Sequence, residues 1–193
     1  MYGGDEMDAP FHPATDSPSH KGGGSIVFLT TDLGRIRQRM GQQETSLSNT
    51  LDYVAIRIDH GEVVGRGPNP QELLALLGAL AITQRQAALG LSDKRIELDC
   101  KSLVDYINEH RHSRLRNEVG KLPFFRATQQ YLQRDAAQQV LWVRSHPERR
   151  KPEQKDYGLD EWGIYIADCY ASNKQTPQHL LGKAHIITAE HLV

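Results

Sequence analysis

The stretch that decides the fold is NPQELLALLGALAITQRQAAL, residues 69–89. Asn69 is a residue type that caps helices, Pro70 suits the first helical position, and Glu72 follows in the first turn. Large apolar side chains then recur at helical spacing, as Leu73, Leu76, Leu77 and Leu80. The pattern predicts a helix over about 70–89 with a strongly apolar surface.

Strand-like segments lie on both sides of this helix. Upstream, SIVFLTTD predicts a strand over 25–31, a long polar connection with a short helical stretch covers 33–50, and DYVAIRID (52–59) with EVVGRG (62–67) predicts a β-hairpin. Downstream, strands are predicted over 95–100 and 139–146, and helices over 102–112, 115–135 and 160–172. This order predicts an α/β fold with a mixed sheet and helices on its faces.

Length and composition set the limits of the domain. The chain has 193 residues, of which 38% are hydrophobic and 24% charged, with a net charge of −1, so we expect one domain and no polybasic tail. Residues 1–24 are poor in aliphatic side chains, which predicts a flexible leader. The domain then covers 25–172, and 173–193 is expected to be a weakly structured tail. No membrane span or secretory signal is visible, which predicts an intracellular protein.

Four acidic residues stand in or beside apolar segments. Asp32 ends the first predicted strand, and Asp99 lies on the strand over 95–100. Glu72 lies in the first turn of the leucine-rich helix. Asp168 falls within the apolar stripe of the last helix, where a buried carboxylate needs a partner or a cation. If one sheet brings them together, the four acids form a site for hard divalent cations.

Each of these acids also has a structural interpretation. Glu72 fits a capping box, and Asp32 and Asp99 fit turns or strand ends. Asp168 could bond a neighbouring arginine or a backbone group. The metal-site hypothesis therefore depends on the set and not on any single acid.

The order of these acids along the chain resembles the ribonuclease H family. The matching stretches are FLTTDLG (28–34), QELLALLGALA (71–81), IELDCKSLVDYI (96–107), VLWVRSHPERR (140–150) and IYIADCYA (164–171). The last three look most like the ribonuclease H domains that follow reverse transcriptases in retroelements.

The resemblance implies a five-stranded mixed sheet, with three antiparallel strands followed by two parallel strands and helices on both faces. It implies that Asp32, Glu72, Asp99 and Asp168 bind two Mg²⁺ or Mn²⁺ ions and that His146 moves a proton. The implied activity is hydrolysis of the RNA strand of RNA–DNA hybrids, with an upstream reverse transcriptase domain in the same polyprotein as a partner. His146 is otherwise an ordinary loop histidine.

Two basic segments are candidates for binding the nucleic-acid backbone. The residues concerned are Arg114, Arg116, Lys121, Arg149, Arg150 and Lys151. Each segment also fits a solvated face of the protein.

The two cysteines, Cys100 and Cys169, cannot form a disulfide framework or a four-ligand zinc site by themselves. Cys100 is predicted to be a core thiol, and we expect no zinc site around these residues. Two other functions remain open: a catalytically inactive nucleic-acid-binding or scaffold module of the same fold, and a DNA-cleaving nuclease or integrase.

Overall fold

The computed structural model describes residues 2–6, 23–41, 50–59, 70–87, 94–113, 123–188 and 192. The strands within these residues are β1 (Tyr2–Glu6), β2 (Gly23–Leu29), β3 (Tyr53–Asp59), β4 (Arg95–Leu98), β5 (Gln139–Trp142) and β6 (Gly182–Thr188). The α-helices are α1 (Leu33–Gly41), α2 (Pro70–Ala87), α3 (Lys101–Glu109), α4 (Pro123–Arg134) and α5 (Leu159–Ala171). No helix in this part of the chain is long and apolar enough to cross a membrane.

The strands form one mixed sheet in the order β5-β4-β1-β2-β3-β6. On one side, β2 and β3 are antiparallel and β6 is parallel to β3. On the other side, β4 and β5 are a parallel pair. The first strand, β1, joins the two groups because it is antiparallel to β2 and parallel to β4. The predicted mixed α/β architecture is confirmed, with six strands in the described sheet.

Two segments that were expected to be irregular contribute strands to this sheet. The prediction of a flexible leader is wrong for β1, and the prediction of a weakly structured tail is wrong for β6. The segment YGGDE has few strand-forming residues, and β6 is almost entirely exposed. The strand conformation of both segments therefore depends on pairing with the neighbouring strands. The segment predicted as the first strand is β2, and β3 pairs with β2. The predicted hairpin arm at 62–67 lies outside the described residues.

Alternation along the strands builds a core on each face of the sheet. In β2, Ile26 packs on the side of α2, α3 and α4, whereas Val27 packs on the side of α1 and α5. The central helix is α2, in which every residue from Gln71 to Ala81 is buried. The leucine-rich pattern of the sequence therefore reflects a helix that is covered on most of its surface.

The first turn of α2 lies directly against the beginning of β2. A Cβ atom added at Gly24 would be 2.6 Å from the carbonyl oxygen of Gln71 and 3.0 Å from the backbone nitrogen of Ala75. Both contacts are with backbone, which cannot swing aside as the end of a long side chain can. Glycine at this position therefore allows the close approach that brings Glu72 to this end of the sheet.

We expect Gly24→Ala to lower the free energy of unfolding by about 1–3 kcal/mol, because the added methyl group forces α2 away from β2. The matched control is Gly41→Ala, where an added Cβ meets nothing within 4 Å. Gly41 ends α1, so alanine there should leave stability unchanged or raise it slightly. Urea unfolding of the three proteins measures both effects, and equal stability of Gly24→Ala and the wild type would contradict the prediction.

Candidate functional site

The structure gives Asp32 a structural role at the start of α1. Its Oδ1 atom accepts a hydrogen bond from the backbone N–H of Arg35 at 2.8 Å, and its carbonyl accepts the N–H of Ile36 at 3.1 Å. These are the contacts of a helix cap, which is a common role of aspartate. Asp32 is itself exposed.

Strand direction separates Asp32 from Asp99. In the sheet, Val27 of β2 is in register with Tyr2 of β1, and Tyr2 is in register with Glu97 of β4. Because β2 runs opposite to β1 and β4, Asp32 follows β2 at one end of the sheet and Asp99 follows β4 at the other. At the usual rise per strand residue, the two acids are on the order of 20 Å apart. The prediction that Asp32 joins the other acids is therefore wrong.

The backbone of Asp5 occupies the position that was assigned to Asp32. Asp5 is in register with Gly24, against which the first turn of α2 packs. Because β1 and β4 are parallel, with Gly3 opposite Leu98, both strands reach their carboxyl ends at the same edge of the sheet. We call this the carboxyl edge. Sequence reasoning missed Asp5 because YGGDE lacks a strand pattern; the available signal was an acid-rich segment ahead of β2.

Glu72 lies near the carboxyl edge, on the α2 side of the sheet. Its side chain is 1% exposed, and it stands in the helical turn that contacts Gly24. The capping residue proposed for this helix, Asn69, lies outside the described residues. Burying a carboxylate among apolar groups alone costs free energy, so a polar or cationic neighbour is favoured beside Glu72.

Asp99 also lies at the carboxyl edge, directly after β4. Its backbone carbonyl accepts a hydrogen bond from the indole Nε1–H of Trp142 at 3.1 Å. Trp142 ends β5 and is 45% exposed, whereas Trp162 is fully buried. An exposed aromatic ring therefore stands beside the candidate acid.

Asp168 reaches the same region from α5. The preceding residue, Ala167, accepts a hydrogen bond at its carbonyl from the hydroxyl of Ser25. Ser25 is in register with Gly4 of β1, one residue before Asp5. The elements that carry Asp5, Glu72, Asp99 and Asp168 therefore meet near the carboxyl edge.

Asp168 belongs to a cluster with His146 and Glu148, and the structure brings one ligand atom of each within 4.8 Å of the others. The imidazole Nδ1 of His146 is 3.0 Å from Oε1 of Glu148. A group of this composition could hold a metal ion. His146 was predicted as a site residue, but Glu148 was not; the signal was its position two residues after the histidine.

Two further polar groups contact the carboxylate of Asp168. The hydroxyl of Ser172 is 3.3 Å from Oδ1, and the Lys174 ammonium is 3.3 Å from Oδ2. The carboxylate is mostly buried, with 14% of its side chain exposed. These contacts hold the carboxylate in place and neutralise part of its charge.

Two residues predicted to bind nucleic acid form ion pairs inside the protein. Arg150 and Lys151 contact the carboxylate of Glu161 at 3.3 and 2.8 Å. Burial by itself would raise the pKa of the Glu161 carboxyl. Lys151, the Gly158 N–H and Arg150 together outweigh burial, so this pKa lies below its usual value. The pairs attach the loop after β5 to the start of α5.

Of the remaining basic candidates, one lies within the described residues. Arg149 is exposed on a single turn of 3₁₀ helix over Pro147–Arg149. Arg114, Arg116 and Lys121 lie outside the described residues.

A second buried acid lies on β4, on the side of α5. Glu97 is 3% exposed. Burial and the neighbouring Asp160, to which it is hydrogen-bonded, raise the pKa of the Glu97 carboxyl, and Arg95 offsets this only in part. Since this carboxyl is easier to protonate in the folded state, its ionisation opposes folding.

Comparison with known proteins supplies no relative for this chain. No protein-family model matches it, and neither a curated protein nor a solved structure does. Its function has to be argued from the geometry and chemistry of the site.

We expect Glu97→Gln to be more stable than the wild type at neutral pH. The stabilisation that protonated Glu97 contributes is present below its usual pKa of 4.5 and is lost as the pH rises through the higher folded-state pKa. The advantage of the variant should therefore shrink as the pH falls. Thermal unfolding from about pH 7.5 to about pH 4 measures this difference. Glu153→Gln, at an exposed residue, is the control, and an advantage of Glu97→Gln that is independent of pH would count against the prediction.

Proposed function

We propose that this chain is a metal-dependent endonuclease of the ribonuclease H type, which hydrolyses the RNA strand of RNA–DNA hybrids within a retroelement reverse transcriptase. The observation that carries the proposal is the approach of four acid-bearing elements to one edge of a mixed sheet. These acids are Asp5, Glu72, Asp99 and Asp168.

Strand order supports the proposal. The strands β3-β2-β1-β4-β5 combine an antiparallel group of three with two strands parallel to β1. The family resemblance implies an antiparallel group of three and a parallel pair of this kind, and β6 beside β3 is an additional strand. The first acid is then Asp5 on the central strand, which agrees better with the implied order than Asp32 does.

The donor set of the carboxyl edge fits hard cations. Carboxylate oxygens are the protein ligands that Mg²⁺ and Mn²⁺ prefer. The chemistry that two such ions supply when bound is activation of water and neutralisation of charge at the scissile phosphate. In the absence of cations, carboxylates brought close together repel and raise one another's pKa.

The side chains of this protein have distinct tasks in the proposed reaction. Glu72, Asp99 and Asp168 would hold the cations, and the fourth acid would come from the strand that carries Asp5. Glu72 is buried, and His146 would accept or donate a proton at its imidazole. Contacts with 2′-hydroxyl groups would distinguish the RNA strand from DNA.

We expect Asp99→Asn and Asp5→Asn each to abolish cleavage of a hybrid in Mg²⁺ or Mn²⁺. Hybrid affinity should be unchanged or higher, because each change removes a negative charge near phosphates. The matched control is Asp32→Asn, which should retain cleavage, since asparagine caps a helix almost as well as aspartate and this residue lies at the opposite edge. Cleavage is measured on labelled strands, and affinity by quenching of the exposed Trp142.

Parallel assays on hybrid, RNA duplex and DNA duplex distinguish the other two functions. A scaffold module would bind hybrid without metal-dependent cleavage by the wild type. A DNA nuclease would cut the DNA duplex as readily as the hybrid, because it would not need the 2′-hydroxyl. Loss of cleavage in Asp32→Asn but not in Asp5→Asn would contradict the assignment of the first acid.

We expect the basic residues of the loop to separate into two groups. Arg149→Gln should weaken hybrid binding and lower the log–log salt slope by about 0.9, as expected for one lost phosphate contact. Lys151→Gln should mainly lower stability, because it breaks the pair with the partly buried Glu161. Binding at several salt concentrations, together with thermal unfolding, checks both. Equal salt slopes for Arg149→Gln and the wild type would exclude the contact.

A further inference from the structure

We propose that His146, Glu148 and Asp168 form a site for one divalent transition-metal ion of borderline softness, such as Zn²⁺. The inference goes beyond the proposed nuclease activity, although the two sites share Asp168. It rests on the kind of donor atoms, their spacing, and the charges around them.

The donor atoms differ from those at the rest of the carboxyl edge. One is an imidazole nitrogen and two are carboxylate oxygens. Mg²⁺ prefers oxygen ligands alone, whereas zinc accepts nitrogen and oxygen together and often binds three protein ligands with a fourth position open. The cluster therefore favours a transition metal over Mg²⁺.

The spacing of the donors is close to that of a bound ion. All three ligand atoms lie within 4.8 Å of one another. Ligand distances of about 2.0–2.2 Å in a tetrahedral site place the donors roughly 3.3–3.6 Å apart. The 3.0 Å between Nδ1 of His146 and Oε1 of Glu148 is already close to this spacing.

The backbone presents the first two ligands from one short turn. His146 and Glu148 flank the buried Pro147, whose ring restricts the backbone between them. The turn is closed by a hydrogen bond from the N–H of Arg149 to the carbonyl of His146 at 3.0 Å. Because the third ligand, Asp168, lies on the regular helix α5, less conformational entropy is lost when an ion binds.

The local charges also favour a cation. Two carboxylates face one imidazole, and the ammonium of Lys174 lies 3.3 Å from Asp168. A divalent ion would compensate the remaining negative charge and would repel the Lys174 ammonium, which is 56% exposed and can turn to solvent. Lys174 therefore opposes metal binding, and its removal should strengthen it.

The experiment is calorimetric titration of the whole chain with Zn²⁺, in the absence of nucleic acid. We expect one zinc ion to bind at this site. Its affinity should fall at least about 10-fold in Glu148→Gln and in His146→Gln, because even the loss of a residue that only supports a ligand typically costs about 10-fold. Lys174→Gln should bind several-fold more tightly. Glu153→Gln removes an exposed carboxylate from the same loop and should bind as the wild type does. Circular dichroism establishes that each variant is folded.

Two results of the titration would overturn the inference. One is absence of zinc binding, and the other is equal affinity of the wild type, Glu148→Gln and His146→Gln. Because the titration needs no substrate, a protein that binds zinc through these residues but cuts no hybrid would contradict the proposed nuclease and support this site. In an active protein, Zn²⁺ should inhibit Mg²⁺-dependent cleavage by occupying Asp168. Unchanged cleavage at saturating zinc would also overturn the inference, since a zinc ion on Asp168 has to compete with Mg²⁺ there.

Discussion

Backbone pairing of β1 holds the two parts of the sheet together. Tyr2 is in register with Val27 on one side and with Glu97 on the other. In the described sheet, β2-β3-β6 and β4-β5 are joined through β1. Helix α2 packs on one face of this strand and α5 on the other. Gly3 and Gly4 have no side chains, so both helices can approach its backbone closely.

Buried polar groups position α5 over the sheet, and so determine where Asp168 lies. The guanidinium of Arg57 donates hydrogen bonds to the carbonyls of Tyr170 and Ala171 at 3.1 and 2.7 Å. A cation at the carboxyl end of a helix also interacts favourably with the helix dipole. Ser25 bonds to the same helix one turn earlier. Apolar packing alone would let α5 slide along the sheet, whereas these bonds specify its position.

Sequence patterns predicted the elements whose own residues carry a strong signal. The leucines of α2 and the apolar stripe of α5 gave helices that the structure confirms within a few residues. The strand β4 was predicted because its apolar residues alternate. In contrast, β1 has two glycines in five residues and β6 is almost wholly exposed, so their formation depends on neighbouring strands that are distant in sequence.

The error over β1 accounts for the error over Asp32. Once β2 was taken as the first strand, the acid after it became the first acid of the set, although antiparallel pairing places that acid at the opposite edge. The other three acids were unaffected, since Glu72, Asp99 and Asp168 lie on elements that the sequence predicted correctly. A single missed strand therefore changed one acid of the proposed set without changing the order of the rest.

The neighbours of Asp168 link the two proposed metal sites. The turn that places His146 beside Asp168 also brings Glu148 within 4.8 Å of it. The same proximity creates a nitrogen-containing donor set, which favours a borderline ion such as Zn²⁺ over Mg²⁺. The ammonium of Lys174, 3.3 Å from Asp168, lowers the attraction of this set for any cation. In the proposed nuclease, selectivity for hard cations would then depend on the other acids of the carboxyl edge.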